Sequence, residues 1–449
     1  MSSSKPEKSP RKAKHQRREH AGSEAKPASA TAGRLTLALE APAAVISRRA
    51  ADRLRSGHVW VYESDIETLL LPEDGEDFGG RVAVVDTRGI PLGTALLSPQ
   101  SQIRLRVVSG DVLATQDEWL ALLRARLEKA LALREKLLEN EGNWTDACRL
   151  VFSEADSLPG LIADKYGDLV ILQFLTAAMD RDDVRAVVVE ALREELEPET
   201  IVERPDPRIR ELEGLAQRSE AFLYARDENE PLLATTFRLN GLRFHYDANA
   251  GQKTGAFLDQ RENYAAAARH AHGEALDVCT YQGGFALHLA QVCQRVTGVD
   301  VSRAALEVAE KNLELNRDAL GHSSVDWVEA NAFDLLKDWS TAGSVYDTIV
   351  LDPPAFAKSK KAVEGALRGY KELNLRALKM LRPGGTLVTC SCSHHVSVED
   401  FTAVVAAAAG DARRRVRLVE RRGAAPDHPV VLTIPETEYL KCLICVVEE

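Results

Sequence analysis

Asp352-Pro353-Pro354-Ala355-Phe356 and, further along, Cys390-Ser391-Cys392 are the residues of this chain best suited to do chemistry together. Each follows an apolar run of strand length, Tyr346 to Leu351 and Thr386 to Val388. A parallel sheet would bring both to its carboxyl edge, where open α/β folds bind their ligands. A carboxylate locked by two prolines can accept a hydrogen bond from the exocyclic amine of a base, and a nearby thiol can attack a ring carbon that is otherwise unreactive. The pair points to methylation of a pyrimidine ring carbon. Cys392 lies closer to the open edge than Cys390 and is preferred as nucleophile; strand alternation would put both on one face, and either could be an inert thiol.

A second constellation precedes these. Glu274 to Val278 reads as a strand entering the tight turn Cys279-Thr280-Tyr281-Gln282-Gly283-Gly284, followed by a helical stretch from Ala286 to Gln291. The two glycines let backbone approach a ligand, and the helix start presents free N–H groups. The turn does not match the G-x-G-x-x-G of nicotinamide cofactors. Asp300, followed by Val301, closes the second strand, where an acid can hold both ribose hydroxyls of a nucleoside. Asn331-Ala332 follows the third strand, where a side-chain oxygen could meet an adenine amine. Singly, Asp300 or Asn331 is at least as readily a helix cap. In this order, with Asp-Pro-Pro at strand four, they describe an S-adenosylmethionine site. Gly251-Gln252-Lys253-Thr254-Gly255 is not a phosphate loop, since no glycine directly precedes Lys253 and no strand leads in. Lys253, with Thr254 beside it, is read as a wall of the cofactor or RNA pocket, against the reading of a solvent-exposed loop.

The elements that must position these residues follow from periodicity. Residues 1–33 lack hydrophobic pattern and read as a disordered basic tail. Residues 34–113 hold short alternating runs such as Arg81 to Val85 and Ile103 to Val108, which predict a small β-rich domain. Residues 114–235 begin with a helical stripe (Trp119, Leu120, Leu123, Leu127, Leu131, Leu138) and continue as an α+β unit. In 236–449, an Asn240-Gly241 hairpin leads into five apolar strands alternating with helices, the pattern of a doubly wound parallel sheet.

Composition bounds the rest. At 449 residues, 45% hydrophobic and 28% charged, the chain is an ordinary globular protein of two or three domains. No apolar run reaches membrane-spanning length, and the N-terminus has no signal-peptide core. Glu7, Glu19 and Glu24 argue against an organellar transit peptide. A cytoplasmic location with no membrane partner is expected. The net charge of −11 divides into +5 for residues 1–33 and −16 for the remainder, so any RNA site in the folded part must be a local patch. Seven cysteines without regular spacing indicate a reducing compartment. Cys442 and Cys445 should point to opposite faces of one strand as core residues, and no metal site is expected.

Taken together, these motifs resemble the bacterial cytosine-5 methyltransferases of 23S ribosomal RNA that carry an N-terminal PUA domain. The likeness covers residues 34–449. Its strongest elements are GQKTGAFLDQR at Gly251 to Arg261, DVCTYQGGF at Asp277 to Phe285, DPPAFAKSKK at Asp352 to Lys361, LRPGGTLVTCSCS at Leu381 to Ser393 and IPETEYL at Ile434 to Leu440. Gly57 to Tyr62 (GHVWVY) looks like the PUA signature. The resemblance implies an α/β fold: a Rossmann-like class I methyltransferase sheet preceded by a PUA-like RNA-binding domain and an α+β middle domain. It further implies S-adenosyl-L-methionine as cofactor and large-subunit ribosomal RNA as partner. Cys392 would be the nucleophile, and Asp352 would orient the base. Tyr281, Gly283, Asp300 and Asn331 would line the cofactor pocket, with Gln282, Gly284, Val301 and Ala332 adjoining. Many relatives carry aspartate where this chain has Asn331, whose amide oxygen can still accept from adenine. Lys358, Lys360 and Lys361, a solvated run by themselves, become phosphate contacts beside Asp352. A sister branch with the same architecture methylates guanine. Methylation of a ring nitrogen such as guanine N7, which needs no thiol, is therefore the rival chemistry, and a non-catalytic RNA-binding or assembly factor the rival class. Whether the chain forms a homodimer stays open.

Overall fold

Runs of alternating apolar residues between glycine-containing turns build the first sheet of the computed structural model, which describes residues 42–73, 77–141, 144–219, 221–249, 255–357 and 359–448. The basic tail lies outside them. Six strands take the order Trp60–Val61, Leu105–Ser109, Pro91–Leu97, Arg81–Asp86, Ala43–Ile46, Ile66–Leu70. They close with the helix Arg48–Arg55 over a core of Ile46, Val61, Val82, Val84 and Leu105.

The long helix Gln116–Glu141 buries Trp119, Leu123, Leu127 and Leu131 on a five-stranded sheet running from Ala221–Ala225 to Ala147–Phe152. The stripe legible in the sequence is the face that packs on the middle sheet. Next comes the hairpin Ala234–Leu239 and Leu242–Asp247, whose loop residues Asn240 and Gly241 both have positive φ (53° and 86°), as a two-residue I′ turn requires. Among the described residues its outer strand has no sheet neighbour on one side; Asn312 and Asn316 replace one. Asn312 Oδ1 accepts from His245 N (2.7 Å), and Asn316 accepts from Arg243 N (2.8 Å) and donates to Arg243 O (2.6 Å).

The C-terminal sheet has seven strands: β1 Glu274–Val278, β2 Arg295–Asp300, β3 Ser324–Glu329, β4 Tyr346–Leu351, β5 Leu381–Ser391, β6 Val416–Arg422 and β7 Lys441–Val447. They lie in the order β3-β2-β1-β4-β5-β7-β6. The first five are parallel, as expected. The edge differs, because β7 inserts antiparallel between β5 and β6. An antiparallel strand needs no helical crossover, and between β6 and β7 only a short 3₁₀ turn, Pro435–Thr437, is formed. This insertion starts β7 at the carboxyl edge, with Lys441 opposite Ser391. Alternation along β7 sends Cys442 and Ile444 to one core and Leu443 and Cys445 to the other.

Middle and C-terminal parts share a core: Tyr166, Leu169 and Ile171 pack with the hairpin's Phe237, Phe244 and Tyr246 and with Phe285 and Leu289. Among the described residues no helix is long and apolar enough to cross a membrane.

Candidate active site

The turn after β1 is held in a strained shape. Cys279 and Tyr281 have φ of 65° and 52°, a left-handed conformation that costs a non-glycine residue about 1 kcal/mol or more. Four hydrogen bonds hold it: Thr280 N to Val299 O (2.9 Å), Tyr281 N to Asp300 Oδ2 (2.9 Å), Gly283 N to Thr280 O (2.9 Å) and Asn312 Nδ2 to Gln282 O (3.0 Å). A Cβ on Gly284 would stand 2.5 Å from the Tyr264 ring, and one on Gly283 3.0 Å from Trp327. Beneath the turn, Asp277 is fully buried; its Oδ2 accepts from Thr280 Oγ1 (2.5 Å) and Ala286 N (2.9 Å), while Oδ1 has no hydrogen-bond partner among the described residues. Burial pushes this carboxyl up to about 7 despite those two bonds. Behind the turn, burial lowers His288 to about 4, so it stays neutral and bridges Gly284 O (2.7 Å) and Asn240 Nδ2 (3.0 Å).

Asp300 reaches the same turn. Its Oδ1 accepts from Ser302 N (2.9 Å), so each oxygen takes one N–H and keeps capacity for a second donor. Val301 beside it is 70% exposed, and Phe333 presents a further open apolar surface. Asn331 caps the helix Ala332–Ala342, its Oδ1 accepting from Phe333 N (2.9 Å) and Asp334 N (3.4 Å). The oxygen expected to meet adenine is thus engaged in the cap. Lys253, Thr254 and Lys358 lie outside the described residues.

One pocket joins Tyr281, Gln282 and Gly284 to Asp352, with Phe257, Tyr264 and Cys279 in its wall. Asp352 leaves the end of β4, its N–H bonded to Val278 O (3.2 Å). Burial, then the charges of Asp259 and Asp277, push its carboxyl up to about 8, against a hydrogen bond with Gln260. The thiol motif meets the same loop: Cys392 Sγ is 3.9 Å from Pro353 O, and Ser393 Oγ accepts from Ala357 N (3.2 Å) and bonds the Tyr370 hydroxyl (2.9 Å). The two cysteines separate because β5 ends at Ser391. Cys390 is fully buried opposite Cys442, and burial holds its thiol well above the usual range; Cys392, past the strand end, is partly exposed.

Residues that sequence reasoning left without a role surround this thiol. Lys441 Nζ, nearly buried, donates to Ser393 O and Tyr439 O (both 2.7 Å). Burial lowers it to about 8, opposed by the charges of Cys392 and Glu438. Tyr439 donates to Asp259 Oδ2 (2.6 Å) and stacks on His394, ring centroids 5.3 Å apart. Lys360 and Lys361, the described lysines of the run expected to contact phosphate, are exposed. The PUA-like GHVW loop also reaches this side: His58 faces Glu436 (3.3 Å) and Trp60 Nε1 donates to Glu154 (3.0 Å). Tyr439, Glu436 and Asp259 lie in the IPETEYL and LDQR segments, which are conspicuous as motifs but silent about partners.

Comparison with known proteins agrees with this architecture. Residues 221–444 match the S-adenosylmethionine-dependent methyltransferase family, and residues 45–110 a PUA-like domain. The chain is 38% identical over 394 residues to ribosomal RNA large subunit methyltransferase I of Pseudoalteromonas translucida, covering 87% of this chain and 96% of that one. The protein of the same name from Klebsiella pneumoniae strain 342 is 36% identical over 406 residues, covering 90% and 98%. A solved SAM-dependent methyltransferase from Streptococcus mutans superposes with a TM-score of 0.74 at 21% identity over 90% of this chain and 99% of that one, and a methyltransferase solved with SAH fits equally well.

Proposed function

The chain belongs to the ribosomal RNA large subunit methyltransferase I family of S-adenosylmethionine-dependent methyltransferases, and we propose that it forms 5-methylcytosine in 23S ribosomal RNA through a covalent adduct of Cys392. The observation that carries this reading is the thiol of Cys392, at the open end of β5 against the Asp-Pro-Pro loop.

The site residues fit the cofactor. The glycine turn lines the pocket that reaches Asp352, Asp300 has acceptor capacity for ribose hydroxyls, and Val301 and Phe333 offer apolar faces for a base. Tyr281, Gln282, Gly283, Gly284 and Ala332 would complete the wall. When bound, S-adenosylmethionine supplies an electrophilic methyl group.

Carbon 5 of cytosine is a poor nucleophile until a thiolate adds at carbon 6. Cys392 performs that addition. Asp352, holding its proton to about pH 8, donates it toward ring N3 as electrons move there, while its other oxygen accepts from the exocyclic amine. After methylation the carbon 5 proton passes to water, the S–C6 bond breaks as N3 returns its proton to Asp352, and the thiolate is released. The target must be unstacked first, which costs a few kcal/mol and less in a single-stranded or looped segment. Residues 34–113 grip the RNA, and Lys358, Lys360 and Lys361 meet phosphates near the catalytic edge.

Mass-spectrometric mapping of modified nucleotides in ribosomal RNA from cells with and without this protein tests the proposal. One 5-methylcytosine should disappear from the large-subunit RNA on deletion. Loss of a methylated guanine instead would reject it.

A further inference from the structure

Lysine is almost never fully buried without a partner that requires it, because burying an ammonium is costly. Lys441 is 4% exposed, and its hydrophobic neighbours in β7 would accept a methionine. Nothing in the strand pairing calls for a charge, since Lys441 pairs with Ser391 through backbone. Its ammonium is held at one place by two carbonyls, those of Ser393 and Tyr439. Ser393 directly follows Cys392, so the clamp fixes the cation beside the thiol, and two of three N–H donors are used, leaving one. Among the described residues, the acidic groups that act on it are Cys392 and Glu438, and Glu438 is exposed. The fixed, desolvated cation at this edge thus faces one group whose charge matters to chemistry.

We infer that Lys441 is a positioning residue for the reaction: held by the Ser393 and Tyr439 carbonyls, it stabilises the thiolate of Cys392. The thiol proton goes to solvent before addition, and the cation stays in place as sulfur bonds to carbon 6 and is later released as thiolate. Antiparallel insertion of β7 makes this possible, because a parallel strand there would begin at the opposite edge. The inference rests on the proposed role of Cys392, but its test does not require RNA.

The test is alkylation of Cys392 by iodoacetamide in the full-length protein as a function of pH, followed by peptide mass spectrometry, for wild type, Lys441→Met and Lys441→Arg. A nearby fixed opposite charge shifts a thiol by about one pH unit or more, so Lys441→Met should move the midpoint up by at least that much and slow alkylation at pH 7 about tenfold. Lys441→Arg should restore most of the rate. A Lys441→Met profile equal to wild type, in a protein with unchanged melting, overturns the inference. Should Lys441→Met not fold, nitrogen-detected NMR titration of the Lys441 ammonium in wild type and Cys392→Ala reads the same coupling from the other side. Loss of the thiolate should lower the lysine's midpoint, and identical midpoints overturn the inference. Failure of the Cys392 assignment is distinguishable, since Cys392→Ala would then keep methyl transfer whatever the alkylation shows.

Discussion

Asp277→Asn should make the cofactor-free protein more stable at pH 8. The Asp277 carboxyl is fully buried, with one oxygen lacking a hydrogen-bond partner among the described residues, and keeps its proton to about pH 7 instead of the ordinary 3.8. Below pH 4 it is protonated in both the folded and unfolded chain and contributes no pH dependence. As pH rises through the unfolded value, the unfolded chain releases its proton while the folded one holds on; stability therefore falls between about pH 4 and 7 and levels off above. At ~1.4 kcal/mol per pH unit the full loss is ~4 kcal/mol, and relaxation of the interior brings the expected value to ~2 kcal/mol. Asparagine has the shape of the protonated carboxyl, and its oxygen can still accept from Thr280 and Ala286. Urea unfolding at pH 4 and pH 8 reads the difference. The two proteins should be alike at pH 4, and the variant more stable by ~2 kcal/mol at pH 8. Asp352 leaves a residual slope in both. A variant less stable than wild type at pH 8 would refute the reasoning.

Further outcomes are expected at other positions. Asp300→Ala should weaken S-adenosylmethionine binding by roughly tenfold or more in calorimetry, since it removes charge-assisted acceptors from the ribose position. Cys390→Ala should keep most methyl-transfer activity, since that thiol is buried opposite Cys442, and lower stability by ~1 kcal/mol in denaturant unfolding. Asp427→Ala should destabilise the chain by ~3 kcal/mol or more, because it removes a buried carboxylate 3.6 Å from the fully buried Arg261 guanidinium and the acceptor of Arg149 N (2.8 Å).

Local signals carried much of this architecture. Asn240-Gly241 sets its own hairpin, and five parallel strands are legible because each apolar run ends in a turn at the edge where ligands bind. Asp352 and Cys392 come together because β4 and β5 are neighbours in sequence and in the sheet. The place of β7 was not legible: Lys441 to Val447 reads only as an apolar run, and no local feature says that it returns between β5 and β6. Nothing local therefore marks Lys441 as a neighbour of the thiol, whereas the lysine run after Asp352 is plain in the sequence. Asn331 was ambiguous for another reason, since one side-chain oxygen serves equally as helix cap and ligand acceptor. The hairpin signal sets a boundary at residue 236, which falls inside the strand Ala234–Leu239 and within a core shared with Tyr166 and Ile171.

Covalent trapping tests the central claim most directly. Substrate RNA carrying 5-fluorocytosine, incubated with S-adenosylmethionine and the full-length protein, should yield a denaturation-resistant protein–RNA adduct, because fluorine at carbon 5 cannot leave as a proton does. Peptide mapping should place the link on Cys392, with Cys390→Ala still trapped and Cys392→Ala untrapped and inactive. Full methyl transfer by Cys392→Ala, or an adduct mapped to Cys390, would contradict the account.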